Sequence, residues 1–254
     1  MKKLVIFICA IGMIYSCKKE ENKPEETPET PTTKSCQLLN RQTDAGMVYK
    51  SYEYDSQGRL TKIQDYNSGV LDPTDFQTFE YSSTEVNTYD ENHILLAKWL
   101  INSNGYATTE YAYLDNDTTY FEYNSDGYLV KETTHTGGSS HTIERKDYTI
   151  SGGNVIKEER FENDSLYETI DFEYYSDKLS KSQIGSNYQL GSIYLKGVKN
   201  KNLTKKITYT STFSSVDIDE YVYELNENGY VTRVSQTNNG SSTPNVWRYS
   251  YTCN

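Results

Sequence analysis

The feature of this sequence that most constrains its fold is an eleven-residue segment that recurs. Four copies share one pattern: an aromatic residue, any residue, a Tyr, Ile or Leu, then Asp or Asn, two polar residues, Gly, any residue and an apolar residue. They span 52–62, 99–109, 121–131 and 223–233, and two eroded copies, each one residue shorter, span 148–157 and 172–181. Such self-similarity indicates a fold built from one repeated supersecondary unit.

Each copy carries the signals of a β-hairpin. The Asp or Asn opens a turn and accepts hydrogen bonds from its own backbone, and a glycine in the left-handed conformation ends a type I turn with a G1 bulge. This turn predicts that Tyr54 lies opposite Leu60 and Tyr52 opposite Lys62 on one face, while Glu53 and Thr61 share the other. The glycines assigned this role are Gly58, Gly105, Gly127 and Gly229.

Aromatic residues separated by one position recur within and beyond the repeat, in a chain with 25 tyrosines. The period of a strand is two residues, so both rings of a pair lie on the same side of it. Such rows either form an exposed face for a ligand such as a glycan or bury one another as core. The predicted binding face consists of Tyr52, Tyr54, Phe121, Tyr123, Phe172, Tyr174, Tyr221 and Tyr223.

Helix signals are scarce. The one competing segment, 93–101 (HILLAKWLI), is apolar enough for a short helix, although its end falls in the repeat. We therefore predict an all-β fold over residues 36–254: an antiparallel β-meander built from repeated β-hairpins and forming a curved sheet. Chains of this size often form a single all-β domain.

The best-preserved copy, residues 54–62 (YDSQGRLTK), resembles a YD repeat, the tyrosine-aspartate hairpin of Rhs-type and teneurin-like shells. Residues 199–207, the hairpin at 229–233 and the terminal Tyr-Thr-Cys also resemble a family of uncharacterised lipoproteins of Gram-negative bacteria. Both resemblances imply a curved sheet of hairpins, and neither supplies catalytic residues. YD-repeat shells are far longer than this chain, which argues against encapsulation of a cargo.

The N-terminus predicts export. Lys2 and Lys3 precede a 12-residue apolar run, residues 4–15, which is too short to span a bilayer and is typical of a signal peptide. The run ends at Cys17 in a segment that resembles a bacterial lipobox, which implies removal of residues 1–16 and acylation of Cys17. An ordinary signal peptide with an incidental cysteine is the alternative. Double acylation would anchor the protein stably in a membrane.

Residues 17–35 follow as a tether rich in Pro, Glu and Thr, a composition that favours extended, unfolded chain. Two further cysteines, Cys36 and Cys253, flank the predicted domain. An oxidising compartment permits a disulfide between them. Two free buried thiols are the alternative.

Charge and motifs exclude several function classes. A formal net charge of −11 argues against nucleic-acid binding, which requires an excess of Lys and Arg. His135 and His141 lack a third ligand of obvious spacing, so we predict no metal and no cofactor. Asp115 with Asp117, and Asp217 with Asp219, are ordinary acidic loops or weak Ca²⁺ ligands. The sequence contains no motif of a serine hydrolase, zinc protease or phosphate-binding loop.

Two function classes follow. The first is a monomeric, non-enzymatic surface lipoprotein of the outer membrane, facing outward or, alternatively, the periplasm, that binds or scaffolds a polysaccharide or a surface protein. The second is a hydrolase of extracellular polymers that uses a carboxylate pair, for which we predict a cleft with convergent carboxylates and a raised pKa. The absence of a catalytic motif favours the first.

Overall fold

Each strand of the protein pairs antiparallel with the strands next to it in the chain. A computed structural model describes residues 36–138, 141–181, 195–212 and 216–253. The predicted signal peptide, Cys17 and the tether therefore lie outside the described residues. The described residues form sixteen strands: β1 Cys36–Thr43, β2 Val48–Tyr54, β3 Leu60–Asn67, β4 Val70–Tyr81, β5 Glu85–Tyr89, β6 Leu95–Ile101, β7 Ala107–Ala112, β8 Asp117–Tyr123, β9 Leu129–His135, β10 Ile143–Ser151, β11 Asn154–Glu162, β12 Ser165–Leu179, β13 Asn202–Ser211, β14 Asp217–Leu225, β15 Val231–Asn238 and β16 Asn245–Cys253.

The first and last strands pair with each other and close the sheet into a barrel. Cys36 lies opposite Cys253, and Leu38 lies opposite Tyr251. The predicted all-β, antiparallel, hairpin-linked fold is confirmed, and the predicted curved sheet closes into a barrel rather than staying open. Closure pairs both edge strands, whose backbone groups an open sheet would leave exposed. Over the ranges given above, the structure contains no helix with the length and apolar character needed to cross a bilayer.

The hairpin turns alternate between the two edges of the barrel. We call the edge with the turns after β2, β6, β8 and β14 the repeat end, because all four intact repeats turn there. The chain also enters the barrel at Cys36 and leaves it at Cys253 at this end. We call the opposite edge, which carries the β1–β2 and β3–β4 turns, the far end.

The repeat turns have the predicted chemistry. Asp55 Oδ1 accepts hydrogen bonds from the backbone N–H groups of Gln57 and Arg59, both at 2.9 Å. Gly58 follows with a φ of 78°, in the left-handed region that glycine adopts without strain. The side-chain Oδ1 atoms of Asn102, Asn124 and Asn226 make the same pair of contacts. Asp and Asn are interchangeable in the turn because both supply an Oδ1 that accepts these two backbone hydrogen bonds.

The predicted pairing within the hairpin is correct at one position and wrong at the next. Tyr54 lies opposite Leu60, but a bulge follows, so Lys62 lies opposite Glu53 and Tyr52 lies opposite Ile63. The bulge moves the repeat's basic residue from the aromatic face to the outer face. The same shift places Lys131 opposite Glu122 and Arg233 opposite Glu224.

Three segments differ from, or extend, the sequence prediction. The eroded copy at 172–181 forms no hairpin, because β12 continues to Leu179 through residues that include no glycine. The alternative helix at 93–101 is wrong, because strand β6 begins at Leu95. A further copy of the turn occurs at Asp90, whose Oδ1 accepts from the N–H groups of Asn92 and Ile94. His93 replaces the glycine there, with a φ of 60°.

The barrel encloses two apolar clusters. The first core takes its buried residues from β1–β8 and the β12–β13 connection: Leu38, Tyr52, Leu60, Ile63, Phe79, Val86, Trp99, Ala107, Phe121 and Leu195. The second core lies on β12–β15: Ile170, Leu203, Ile207, Tyr221, Val231 and Val234. Tyr249 packs against both, so strand β16 connects them. Rings supply much of the apolar area that this chain buries.

Candidate functional site

The predicted aromatic binding face lies inside the barrel. Tyr52, Phe121 and Tyr221 are buried, with exposed fractions of 3%, 5% and 4%. The other members of the face pack against the same two cores: Tyr54, Tyr123, Phe172 and Tyr223, while Tyr174 bonds the neighbouring strand β11. The rows bury one another, so they do not offer rings to a glycan.

Four tyrosine hydroxyls instead close neighbouring hairpins at the repeat end. Tyr123 donates to the carbonyl oxygen of Ala107 at 2.7 Å. Ala107 is the first residue after the preceding repeat turn. The equivalent bonds join Tyr81 to Leu60, Tyr174 to Val155 and Tyr251 to Val231. They link β3–β4, β7–β8, β11–β12 and β15–β16, so the arrangement repeats every fourth strand.

The outer face of the wall carries charge pairs. Glu122 and Lys131 lie 3.0 Å apart on β8 and β9. Other pairs are distributed around the barrel: Glu85–Lys98, Lys157–Glu159, Glu173–Lys206 and Glu224–Arg233. Several of these basic residues occupy the position that the hairpin bulge turns outward. Cross-strand pairs of opposite charge stabilise a solvated sheet face.

The largest group of ionisable side chains in contact with one another lies inside the barrel, on β7, β9–β12 and the β12–β13 connection. Glu132 is buried, and its carboxylate accepts hydrogen bonds from the Tyr148 hydroxyl at 3.0 Å and from Lys196 Nζ at 3.1 and 3.2 Å. Arg160 bridges a second pair of carboxylates, Glu158 at 2.6 Å and Glu168 at 2.7 Å. We call these six residues and Glu110 the interior cluster. Burial raises the pKa of Tyr148 well above its ordinary value.

Glu110 is the member of the interior cluster with the most perturbed carboxyl. Its pKa is raised from 4.5 to about 7, chiefly by burial and also by the neighbouring Glu132, while Lys196 and Lys146 oppose the rise. Burial disfavours the charged form of a carboxyl. Glu110 therefore changes charge near neutral pH.

Residues 195–201 of the β12–β13 connection lie across three turns at the repeat end. The carbonyl oxygen of Leu195 accepts a hydrogen bond from Ala107 N at 2.7 Å. Val198 N donates to Gly127 O at 2.8 Å, and Lys201 N donates to Gly153 O at 2.9 Å. Lys196 extends from this segment into the interior cluster. Burial lowers the pKa of Lys199, in the same segment, to about 8.

The remaining predicted residues are placed as follows. Cys36 and Cys253 form a disulfide between β1 and β16. His135 and His141 are exposed. Asp219 is buried and accepts hydrogen bonds from two tyrosine hydroxyls and from Asn238, so it is engaged within the barrel. Across the part of the chain that the structure describes, no group of three His, Cys, Asp or Glu side chains is arranged to hold a metal ion.

Sequence reasoning missed the interior cluster. Its members come from strands spread over residues 110–196, and their alternation with outward charged residues makes the strands look polar on both faces. The signal available was an acidic residue on the strand that pairs with an aromatic-x-aromatic strand, as at Glu132 on β9, which lies opposite Phe121 on β8. Through ion pairs and the hydrogen bond of the Tyr148 hydroxyl, this cluster joins the β12–β13 connection to the barrel wall.

Comparison with known proteins identifies the fold. No model of a known protein family matches the sequence, and no curated protein matches it. Among solved structures, the chain is similar to a porin-like protein from Bacteroides uniformis ATCC 8492, at 20% identity and a TM-score of 0.63, over 88% of this chain and 98% of that one. A porin-like protein from Bacteroides vulgatus ATCC 8482 gives 15% identity and a TM-score of 0.59, over 85% and 98%. These likenesses establish a shared barrel fold, and the resemblance to YD repeats stays a prediction.

Proposed function

We propose that this protein is a lipid-anchored outer-membrane protein. Its barrel is surrounded by water rather than lipid and acts as a non-enzymatic binding or scaffold module. The observation that carries the proposal is the charge on the outer wall. A membrane-spanning barrel presents an apolar band about 25 Å tall to lipid, and a Lys or Arg at the middle of that band costs about 2–4 kcal/mol, with a smaller cost toward its edges. The pairs at Lys98, Lys131 and Arg233 lie on the face that lipid would cover.

The interior supports the same interpretation. Porin lumens are polar and filled with water, whereas two apolar cores occupy this barrel. Membrane attachment is then assigned to the predicted acylation of Cys17, joined to the barrel by the tether. The barrel's place on the cell surface rests on this anchor, with the periplasmic face as the alternative.

The geometry favours binding over catalysis. Glu110 and Glu132 are the two carboxylates that most resemble a catalytic pair. The Glu132 carboxylate, however, already accepts hydrogen bonds from Lys196 and Tyr148. The glycan binding predicted from the sequence requires exposed aromatic rows, and in the structure those rows pack in the cores. A protein partner is therefore the ligand class that the molecule supports best.

The test compares the full chain with its Cys17→Ala variant in membrane fractions of an expressing Gram-negative cell. We expect the wild type to require detergent for release and the variant to be recovered as soluble, folded protein without detergent. A variant that stays in carbonate-washed membranes would mean that the wall itself contacts lipid and would overturn the proposal. Proteinase K treatment of intact cells separates outward from periplasmic display.

A further inference from the structure

Exposed apolar side chains are concentrated at one edge of the barrel. Of the exposed large apolar residues, Leu114 and Val70 are among the most accessible, at 76% and 70%, and both lie in far-end turns. Seven of the eight connections at this end carry such a residue at or beside the turn. We call this set the rim: Met47, Val70, Ile94, Leu114, Ile143, Leu166 and Val216. The intact repeat turns at the opposite end are Asp/Asn, polar and glycine residues.

Six of the seven rim residues have an exposed acidic residue within three positions in the sequence. Leu114, Ile143 and Val216 directly precede one. The full set of acidic neighbours is Asp44, Glu91, Asp115, Glu144, Asp164 and Asp217. Within the described ranges, only two of these six pair with a cation: Asp44 with Arg233 and Arg248, and Asp164 with Arg145. The rim therefore combines exposed apolar side chains with an excess of acidic ones.

The rim turns are held in place by lateral hydrogen bonds. Asn163 donates from its backbone N to Ile143 O at 2.8 Å, and its Oδ1 accepts from Ile143 N at 3.0 Å. Asn239 makes the same two contacts with Ile218, at 2.7 and 2.8 Å. A surface that is already ordered loses less conformational entropy on binding. The exposed apolar side chains are thus presented on a fixed frame.

The negative charge of the rim determines which kind of partner can bind there. Exposed apolar residues gathered at one edge fit an interaction surface better than singly scattered ones, and complementary charge determines which partner is accepted. A second copy of this acidic chain would bring like charges together, and an anionic membrane would be repelled in the same way. The chain also enters the barrel at Cys36, on the edge opposite the rim, so the rim is not the edge at which the tether joins.

From these observations we infer that the rim is a docking surface for a second protein that presents a basic, amphipathic face. Its apolar side chains contact the rim, and its Lys or Arg side chains pair with the acidic neighbours. This inference deepens the proposed function, because it names the partner class of the binding module.

The experiment uses the mature chain from residue 17 with Cys17→Ser, and fluorescence anisotropy of a labelled amphipathic Leu/Lys peptide of about 18 residues, roughly 27 Å long as a helix. We expect the rim variant Val70→Ser/Ile94→Ser/Leu114→Ser to weaken binding by about tenfold or more, since a few central contacts dominate an interface. The acidic-neighbour variant Asp115→Asn/Asp217→Asn is expected to weaken it by about threefold and to reduce its salt dependence.

The matched control is Val222→Ser, which removes an apolar side chain that is 62% exposed on the outer wall, away from the rim. We expect its binding to equal that of the wild type. Unchanged binding by the rim variant, with an unchanged melting curve, would overturn the inference. So would equal binding of a Lys/Ser peptide of the same charge, or rim-dependent binding to phosphatidylglycerol vesicles in place of the peptide. A failure of the membrane proposal appears separately, as detergent dependence of the Cys17 variant.

Discussion

At the scale of single residues, the fold depends on what tyrosine has and phenylalanine lacks. The ring of Tyr123 packs in the first core, and its hydroxyl reaches the carbonyl of Ala107, which is fully buried. A buried carbonyl that loses its donor incurs a desolvation penalty. Tyrosine is therefore the residue needed at the four positions where a hydroxyl joins two adjacent strands.

Replacing Tyr123 with Phe tests this role. Because the ring stays and only the donor is lost, we expect the free energy of unfolding to fall by about 1–2 kcal/mol, measured by urea denaturation. Tyr120→Phe is the control, since Tyr120 is 47% exposed. Equal effects of the two substitutions would contradict a role for the carbonyl contact.

Glu110 predicts a pH dependence whose sign is set by its raised pKa. The folded chain holds the proton up to about pH 7, whereas the unfolded chain releases it near 4.5. The stabilising contribution is therefore complete below pH 4.5 and is lost as the pH rises through 7. Glu110→Gln removes this loss, so at pH 8 we expect the variant to be more stable than the wild type by about 1–3 kcal/mol.

The measurement is the free energy of unfolding of both proteins at pH 5 and pH 8. We expect the advantage of Glu110→Gln to shrink at pH 5, where the wild-type carboxyl is already neutral. Glu122→Gln, on the outer wall, controls for the change in net charge. An advantage that does not vary with pH would contradict burial of a titrating carboxyl at this position.

At the scale of elements, local chemistry was predictable and long-range pairing was not. The turn at Asp55 to Gly58 follows from its own residues, because the Asp55 carboxylate that accepts the backbone hydrogen bonds and the left-handed glycine are both local. The bulge after Leu60 depends on how β2 and β3 twist together, so the side on which Lys62 lies was missed. The interior cluster joins residues as far apart as Glu132 and Lys196, a contact that only the closed barrel creates.

The 195–201 segment depends on that contact. Lys196→Met would leave Glu132 buried with only Tyr148 and the more distant Lys146, at 3.8 Å. Removing one partner of a buried pair is costly, and Lys196 is partly exposed, so we expect a loss of about 2–3 kcal/mol in unfolding free energy. Lys131→Met, which breaks a pair on the outer wall, should cost under about 1 kcal/mol.

A double-mutant cycle makes the assignment specific. Lys196→Met combined with Glu132→Gln removes the uncompensated charge, so the double variant should recover part of the stability that Lys196→Met alone loses. Strict additivity of the two single effects would show that the segment does not depend on this ion pair.

At the scale of the whole molecule, the pattern of polarity matters more than the number of strands. Sixteen strands suffice for a porin-sized barrel, yet this chain turns most of its packed rings and Leu inward and, apart from the interior cluster, places Glu–Lys and Glu–Arg pairs on the outer face. The alternation of aromatic and polar residues was visible in the sequence. Which of the two sets faces inward was not, because an aromatic row is compatible with an exposed face or with a core. Pairing of β1 with β16 closes the sheet and gives it an enclosed side, and the rings pack on that side.

That closure predicts a strong effect of the disulfide. Cys36 and Cys253 are separated by 217 positions and join the first strand to the last. A link across so long a loop restricts the unfolded chain, by up to about 5 kcal/mol in the chain-entropy treatment. We expect Cys36→Ser/Cys253→Ser to keep the barrel's circular dichroism at low temperature and to unfold at a much lower denaturant concentration. A reducing agent should shift the wild type to the same midpoint and leave the variant unmoved. Equal midpoints for oxidised wild type and variant would mean that the β1–β16 backbone pairing closes the barrel without help from the disulfide.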